Sequence, residues 1–201
     1  MTENYLLTHP SQSDMEKLSS LKDDYRLMAD YWQRGFDDPQ RTAVYNQLLR
    51  RLYILVNNVS IRGRLNNSSF LKSIYSRPRQ LRKDWSVSAI RTSLEDFVSN
   101  IALLDLEPED SREKRLAEAN REHQLLMNDL FDYIVTSRLW KESLANTFEE
   151  ILLSPTVDSR DQQLIVSAIT LSAMQMFDAS KFQVLAHVYE HTEDEYLRQR
   201  A

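Results

Sequence analysis

Apolar residues return every three or four positions along almost the whole chain, the spacing of one face of an α-helix. Met15, Leu18, Tyr25, Met28 and Trp32 share one such face, and Gly35 ends that helix. Asp38-Pro39 restarts the chain, proline being suited to a first helical turn. Val44, Leu48, Leu52, Leu55 and Val59 then carry a second helix to about Arg62. A short one follows around Phe70, Leu71, Ile74 and Tyr75, stopped by Pro78. Ser86 caps a longer helix through Ile90, Leu94, Phe97, Ile101 and Leu104, which Pro108 closes. Ser111 opens another through Leu116, His123, Leu126, Leu130 and Ile134, and Leu144, Phe148, Ile151 and Leu152 mark a shorter one ended by Pro155. Asp158 or Ser159 starts a strongly apolar helix through Ile165 and Ile169 to Met176, and Asp178 caps its partner bearing Phe182, Leu185 and Val188. Thr192 followed by Glu195 makes a capping box that opens a last helix at Glu193. The pattern predicts about nine helices and no strand. The later connections are short, which sets successive helices side by side in antiparallel pairs.

Near the C-terminus the pattern repeats in outline. Phe148-Glu-Glu-Ile-Leu-Leu, a loop, and Asp161-Gln-Gln-Leu-Ile-Val-Ser-Ala168 are echoed by Val184-Leu-Ala-His-Val-Tyr, a loop, and Glu195-Tyr-Leu-Arg-Gln-Arg-Ala201. The two closing alanines stand 33 residues apart, within the range of helical-repeat periods. Residues 140–201 thus resemble HEAT-like repeats, with Glu193 to Ala201 looking like the helix start of such a unit. More broadly, the chain resembles the leading part of a large bacterial helical-repeat protein. The resemblance implies antiparallel helix pairs stacked as an α-α superhelix, irregular at the N-terminal end, with residues 1–201 forming a single all-α domain. It implies binding of a partner protein rather than catalysis. The residues from Glu193 onward barely begin a helix, and we expect more chain to follow Ala201. Tyr196, Leu197 and Ala201 would then expose an apolar ridge near residues 182–201, open to self-association through the C-terminal end.

Composition narrows the chemistry. The 201 residues hold two glycines, about 1% against the roughly 7% of an average chain, so hairpins and barrels lack their φ > 0 positions. Gly35 and Gly63 are too far apart for a phosphate-cradling loop, and the absence of cysteine removes disulfides, thiolate nucleophiles and cysteine-held metals. The first ten residues carry Glu3 where a signal peptide has basic charge, and no stretch approaches the ~20 apolar residues of a membrane span. A cytoplasmic location is the expectation.

The net charge of −5 is unevenly spread: residues 62–91 hold eight Lys/Arg against the single Asp84, leaving −12 on the rest of the chain. Arg77, Arg79, Arg82 and Lys83, with Trp85 beside them, form the candidate binding surface. Basic side chains interleaved with aromatics suit phosphates and bases, but no nucleic-acid motif and no basic pI accompany them. We read the segment as pairing with acidic surface of the same chain or of a protein partner, ahead of nucleic acid and of anionic lipid.

The sharpest catalytic-looking string is His187-Val188-Tyr189-Glu190-His191, an H-x-x-E-H pattern whose histidines at i and i+4 could grip zinc with the glutamate as base. The third ligand of such a site has no counterpart before the chain ends, and His191 falls at a helix end where its charge is favourable in itself. We therefore expect a structural histidine pair, no bound metal and no cofactor, with a zinc hydrolase as the alternative reading. His9 and His123 lie in different segments and suggest no triad. Trp32, Phe97, Phe131, Phe148, Phe177 and Phe182 read as core, and Trp140 as a pin between two helices.

Overall fold

The computed structural model describes residues 11–35, 39–80, 83–104, 106 and 108–201, apart from the side chains of Arg79, Gln80, Val87 and Asp110. His9, Asp38 and Arg82 lie outside the described residues. Among the described residues there are nine helices and no strand, so the chain is all-α. They are α1 (Gln12–Gln33), α2 (Arg41–Asn67), α3 (Ser69–Gln80), α4 (Val87–Leu104), α5 (Glu109–Val135), α6 (Glu142–Leu152), α7 (Ser159–Gln175), α8 (Ala179–His191) and α9 (Glu195–Arg198).

The chain divides into two compact units, Met1–Lys72 and Ser73–Ala201. The first is a hairpin of two long helices. Gly35 ends α1 at φ +78°, a conformation that costs an L side chain a clash between Cβ and carbonyl. The seam between α1 and α2 buries Leu21, Met28, Leu48, Leu55 and Val59. Ion pairs cross it from α1 to α2: Asp24 holds Arg51 at 2.7 Å, and Asp14, itself buried, takes Arg62.

The second unit is a two-layer stack. Helices α4, α6 and α8 pack side by side in one layer, α5, α7 and α9 in the other, and consecutive helices cross between layers. Leu94, Leu130, Phe148, Ile151, Ile165, Ile169, Val184 and Leu197 fill the space between layers and are essentially inaccessible to solvent. Helix α6 shows why these residues form this element: Ala145, Phe148, Ile151 and Leu152 recur on one face, and all are buried. Trp140 stacks on Phe148 with ring centroids 4.6 Å apart, pinning the α5–α6 loop onto the core.

Several helix boundaries differ from the expectation. Pro78 lies inside α3 instead of stopping it, and the helix ends two residues later at Gln80. Pro108, not Ser111, stands at the N-cap of α5, and Ser111 donates its hydroxyl back to the Pro108 carbonyl. The cap of α9 is Asp194, two residues after Thr192: its carboxylate accepts from the Tyr196 and Leu197 amides at 2.8 and 3.3 Å. Thr192 instead turns the chain, its hydroxyl accepting from the Asp194 amide. The caps Asp158 and Asp194 are equivalent in the two pairs and lie 36 residues apart, a longer register than the alanine spacing suggests. Phe177 and Phe182 are not core: they stack on each other at 5.3 Å and are 62% and 45% exposed. The C-terminal apolar stripe is split, with Leu197 buried and Tyr196 on the surface.

Candidate functional site

The basic segment meets acidic surface within the chain. Arg77, near the end of α3, reaches Asp129 at 3.3 Å and Asp132 at 3.6 Å, both on α5. Lys83 donates to Asp129 at 2.6 Å, and Arg91 pairs with Glu95 and lies 3.6 Å from Glu150 of α6. Asp129 is buried, so its charge needs these cations. Burial pushes the Asp132 carboxyl above the usual range and neighbouring Asp129 adds to that push, while Arg77 opposes both. Trp85 is half-buried and stacks on Tyr133 at 5.0 Å, with Lys83 near its ring. Of the candidate surface, then, Arg77, Lys83 and Trp85 are engaged by α5, whereas Arg82 and the Arg79 side chain lie outside the described residues.

The H-x-x-E-H string occupies the end of α8. His187 is half-buried, His191 is exposed, their rings stack at 4.1 Å, and the His191 Nδ1 lies 2.8 Å from the His187 carbonyl. Among the described residues no three His, Asp or Glu side chains converge as metal ligands. His187 and Glu190 instead line a groove of about 600 Å³ between α6 and α8, whose other walls include Glu142, Asn146, Glu149 and Gln183. The groove lies between neighbouring helices of one layer, and three carboxylates give it negative charge.

Two buried polar sites escaped the sequence reading. His123 on α5 donates from Nε2 to Asp161 on α7 at 3.0 Å, and Phe97 of α4 covers the imidazole face at 3.6 Å. The pair ties α5 to α7. Lys181 on α8 is fully buried beneath the α5–α6 loop. Its ammonium donates to the Ser172 hydroxyl at 2.8 Å and to the Arg138 and Ser137 carbonyls at 3.1 and 3.3 Å, with Asp178 at 3.7 Å. Asp178 in turn accepts from the Trp140 amide at 2.8 Å. Burial pulls the Lys181 pKa down to about 8, against the pull of Asp178. A lysine in an apolar repeat carries no such signal in sequence, but the i, i+3 spacing of Asp178 and Lys181 was there to be read.

No helix among the described residues is long and apolar enough to cross a membrane. No protein-family model matches the chain, and no curated protein or solved structure is significantly similar to it.

Proposed function

We propose that the stack formed by α4 to α9 is a HEAT-like, non-catalytic module that binds a partner protein through the groove between α6 and α8. The observation behind this reading is the groove itself: it is open, runs between two adjacent helices of one layer, and carries Glu142, Glu149 and Glu190 on its walls. Stacked helix pairs present such inter-helix furrows as binding surfaces, and like-signed carboxylates select a basic partner segment. The basic segment of residues 62–91 serves a different purpose in this reading, satisfying the buried Asp129 and bracing α5.

A fluorescein-labelled Lys/Arg-rich helical peptide, titrated by anisotropy at physiological salt, tests the proposal. Binding should weaken on the order of tenfold or more in the triple variant Glu142→Gln/Glu149→Gln/Glu190→Gln, as expected for loss of several rim charges. Equal affinity for variant and wild type would remove the groove from consideration. In the same assay, a single-stranded oligonucleotide should bind no tighter than about 10⁻⁴ M, the weak end of non-specific binding.

A further inference from the structure

The hairpin presents more apolar surface than a two-helix seam can use. Leu18, Leu21, Tyr25, Met28 and Trp32 on α1 follow a heptad, and so do Tyr45, Leu48, Leu52, Leu55 and Val59 on α2. A seam between two helices needs only those positions. Helix α2 adds Leu49 and Val56, widening its stripe to the three-in-seven face of a helix packed inside a bundle. The added side chains and their neighbours are uncovered: Tyr25 is 52% exposed, Leu49 44%, Tyr45 and Leu52 38% each. They border a groove of about 350 Å³ along the seam, in which Lys22 is the charged lining residue. The opposite face of the hairpin differs, because the Asp24–Arg51 ion pair crosses it and docking there would strip water from both charges.

We propose that a second copy of this chain covers the Tyr25–Leu52 face, two hairpins closing into a four-helix bundle. The size of the face fits a second copy. Residues 15–33 span about 27 Å and two helices about 20 Å, so two copies bury on the order of 1,000 Å², the threshold for a specific interface. The face is also self-complementary, apolar against apolar, as a two-fold contact requires.

Sedimentation of the full 201-residue chain between about 1 and 100 µM tests this, spanning the affinities such an interface supports. The wild type is expected to dimerise. Leu49→Glu/Leu52→Glu should raise the dissociation constant on the order of 100-fold or more, since it buries charge at the centre of the contact. Tyr25→Arg, on the other helix at a position already half in solvent, should do the same and decides the matter if the double variant loses helical circular dichroism. Leu27→Glu on the opposite face and Phe182→Glu in the stack should leave the dimer intact. A chain that stays monomeric throughout the range overturns the proposal, whether the face is bare or covered from within the chain. So does a dimer that survives both groove variants, or one that Phe182→Glu dissolves.

Discussion

The two units use the same ingredients to different ends. In the hairpin α1–α2 only five apolar side chains are buried together, and apolar groups remain exposed on both of its faces. In the stack α4–α9 apolar residues of all six helices interlock, and even charged groups have been drawn inside, with Lys181 and Asp178 holding the α5–α6 loop. Both units consist of amphipathic helices of ordinary propensity. What separates them is the number of layers: two helices touch along a line, whereas two layers of three enclose a volume. A closed volume can hold a polar knot at low dielectric, where every bond is strengthened and every vacancy is costly. A line of contact encloses less: in the hairpin Asp14 is buried, but the Arg62 that pairs with it stays exposed to solvent.

The largest effect that would break this comparison is truncation of the stack core. Phe148→Ala should cost about 3–5 kcal/mol, because the enclosed site cannot collapse onto the hole. Urea unfolding followed through Trp140 would register it, while Trp32, isolated by replacing the other two tryptophans, reports on the hairpin alone. A loss below about 1 kcal/mol would mean the stack is packed no better than the hairpin.

The next effect sharpens the contrast through charge. Lys181→Met should cost about 2–4 kcal/mol at neutral pH, since it leaves the Ser172 hydroxyl and two backbone carbonyls without their donor. The wild type carries a pH signature as well. The folded lysine sheds its proton near pH 8, below the ordinary lysine value of 10.5, so between these the unfolded chain binds more protons and stability rises with pH. That rise is up to about 3 kcal/mol and should vanish in Lys181→Met. A wild-type stability that is flat or falling from pH 8 to 10.5 would contradict the buried ammonium.

The smallest effect lies at the basic segment. Arg77 is half exposed, so Arg77→Gln should cost less than about 1 kcal/mol, and less still in high salt. Its clearer readout is Asp132, whose carboxyl is already raised by burial and held back by Arg77. Removing Arg77 should raise it further in a carboxylate NMR titration; an unchanged Asp132 would show that the ion pair across α3 and α5 does not form in solution.

The helices themselves were legible along the chain, and the reasons are local. Periodic apolar residues at Leu144, Phe148, Ile151 and Leu152, the Asp178 cap and the φ > 0 turn at Gly35 each involve groups a few residues apart. Boundaries were less legible where two chemistries competed. Thr192 and Asp194 both offer a capping oxygen, and the carboxylate accepts two amides where the hydroxyl takes one. Phe177, in the loop after α7, and Phe182, on α8, are apolar yet exposed, because nothing in the local spacing states which neighbouring element exists to cover them.

The candidate site was legible only as a list of charges. The excess of Arg and Lys between residues 62 and 91 can be counted in sequence, but its partners Asp129 and Asp132 lie some fifty residues downstream and look like any other solvated carboxylates until α3 is laid on α5. His123 and Asp161, or Lys181 and the carbonyls of Ser137 and Arg138, are likewise paired by packing alone. Sequence determined the all-α class, the placement of most helices and the imbalance of charge, since these follow from backbone propensity and composition. Tertiary structure decided which polar groups were buried, which cations were neutralised and which grooves stayed open. Those depend on long-range contacts, whose energies are set by the dielectric and geometry of an enclosed interior that no local stretch of chain possesses.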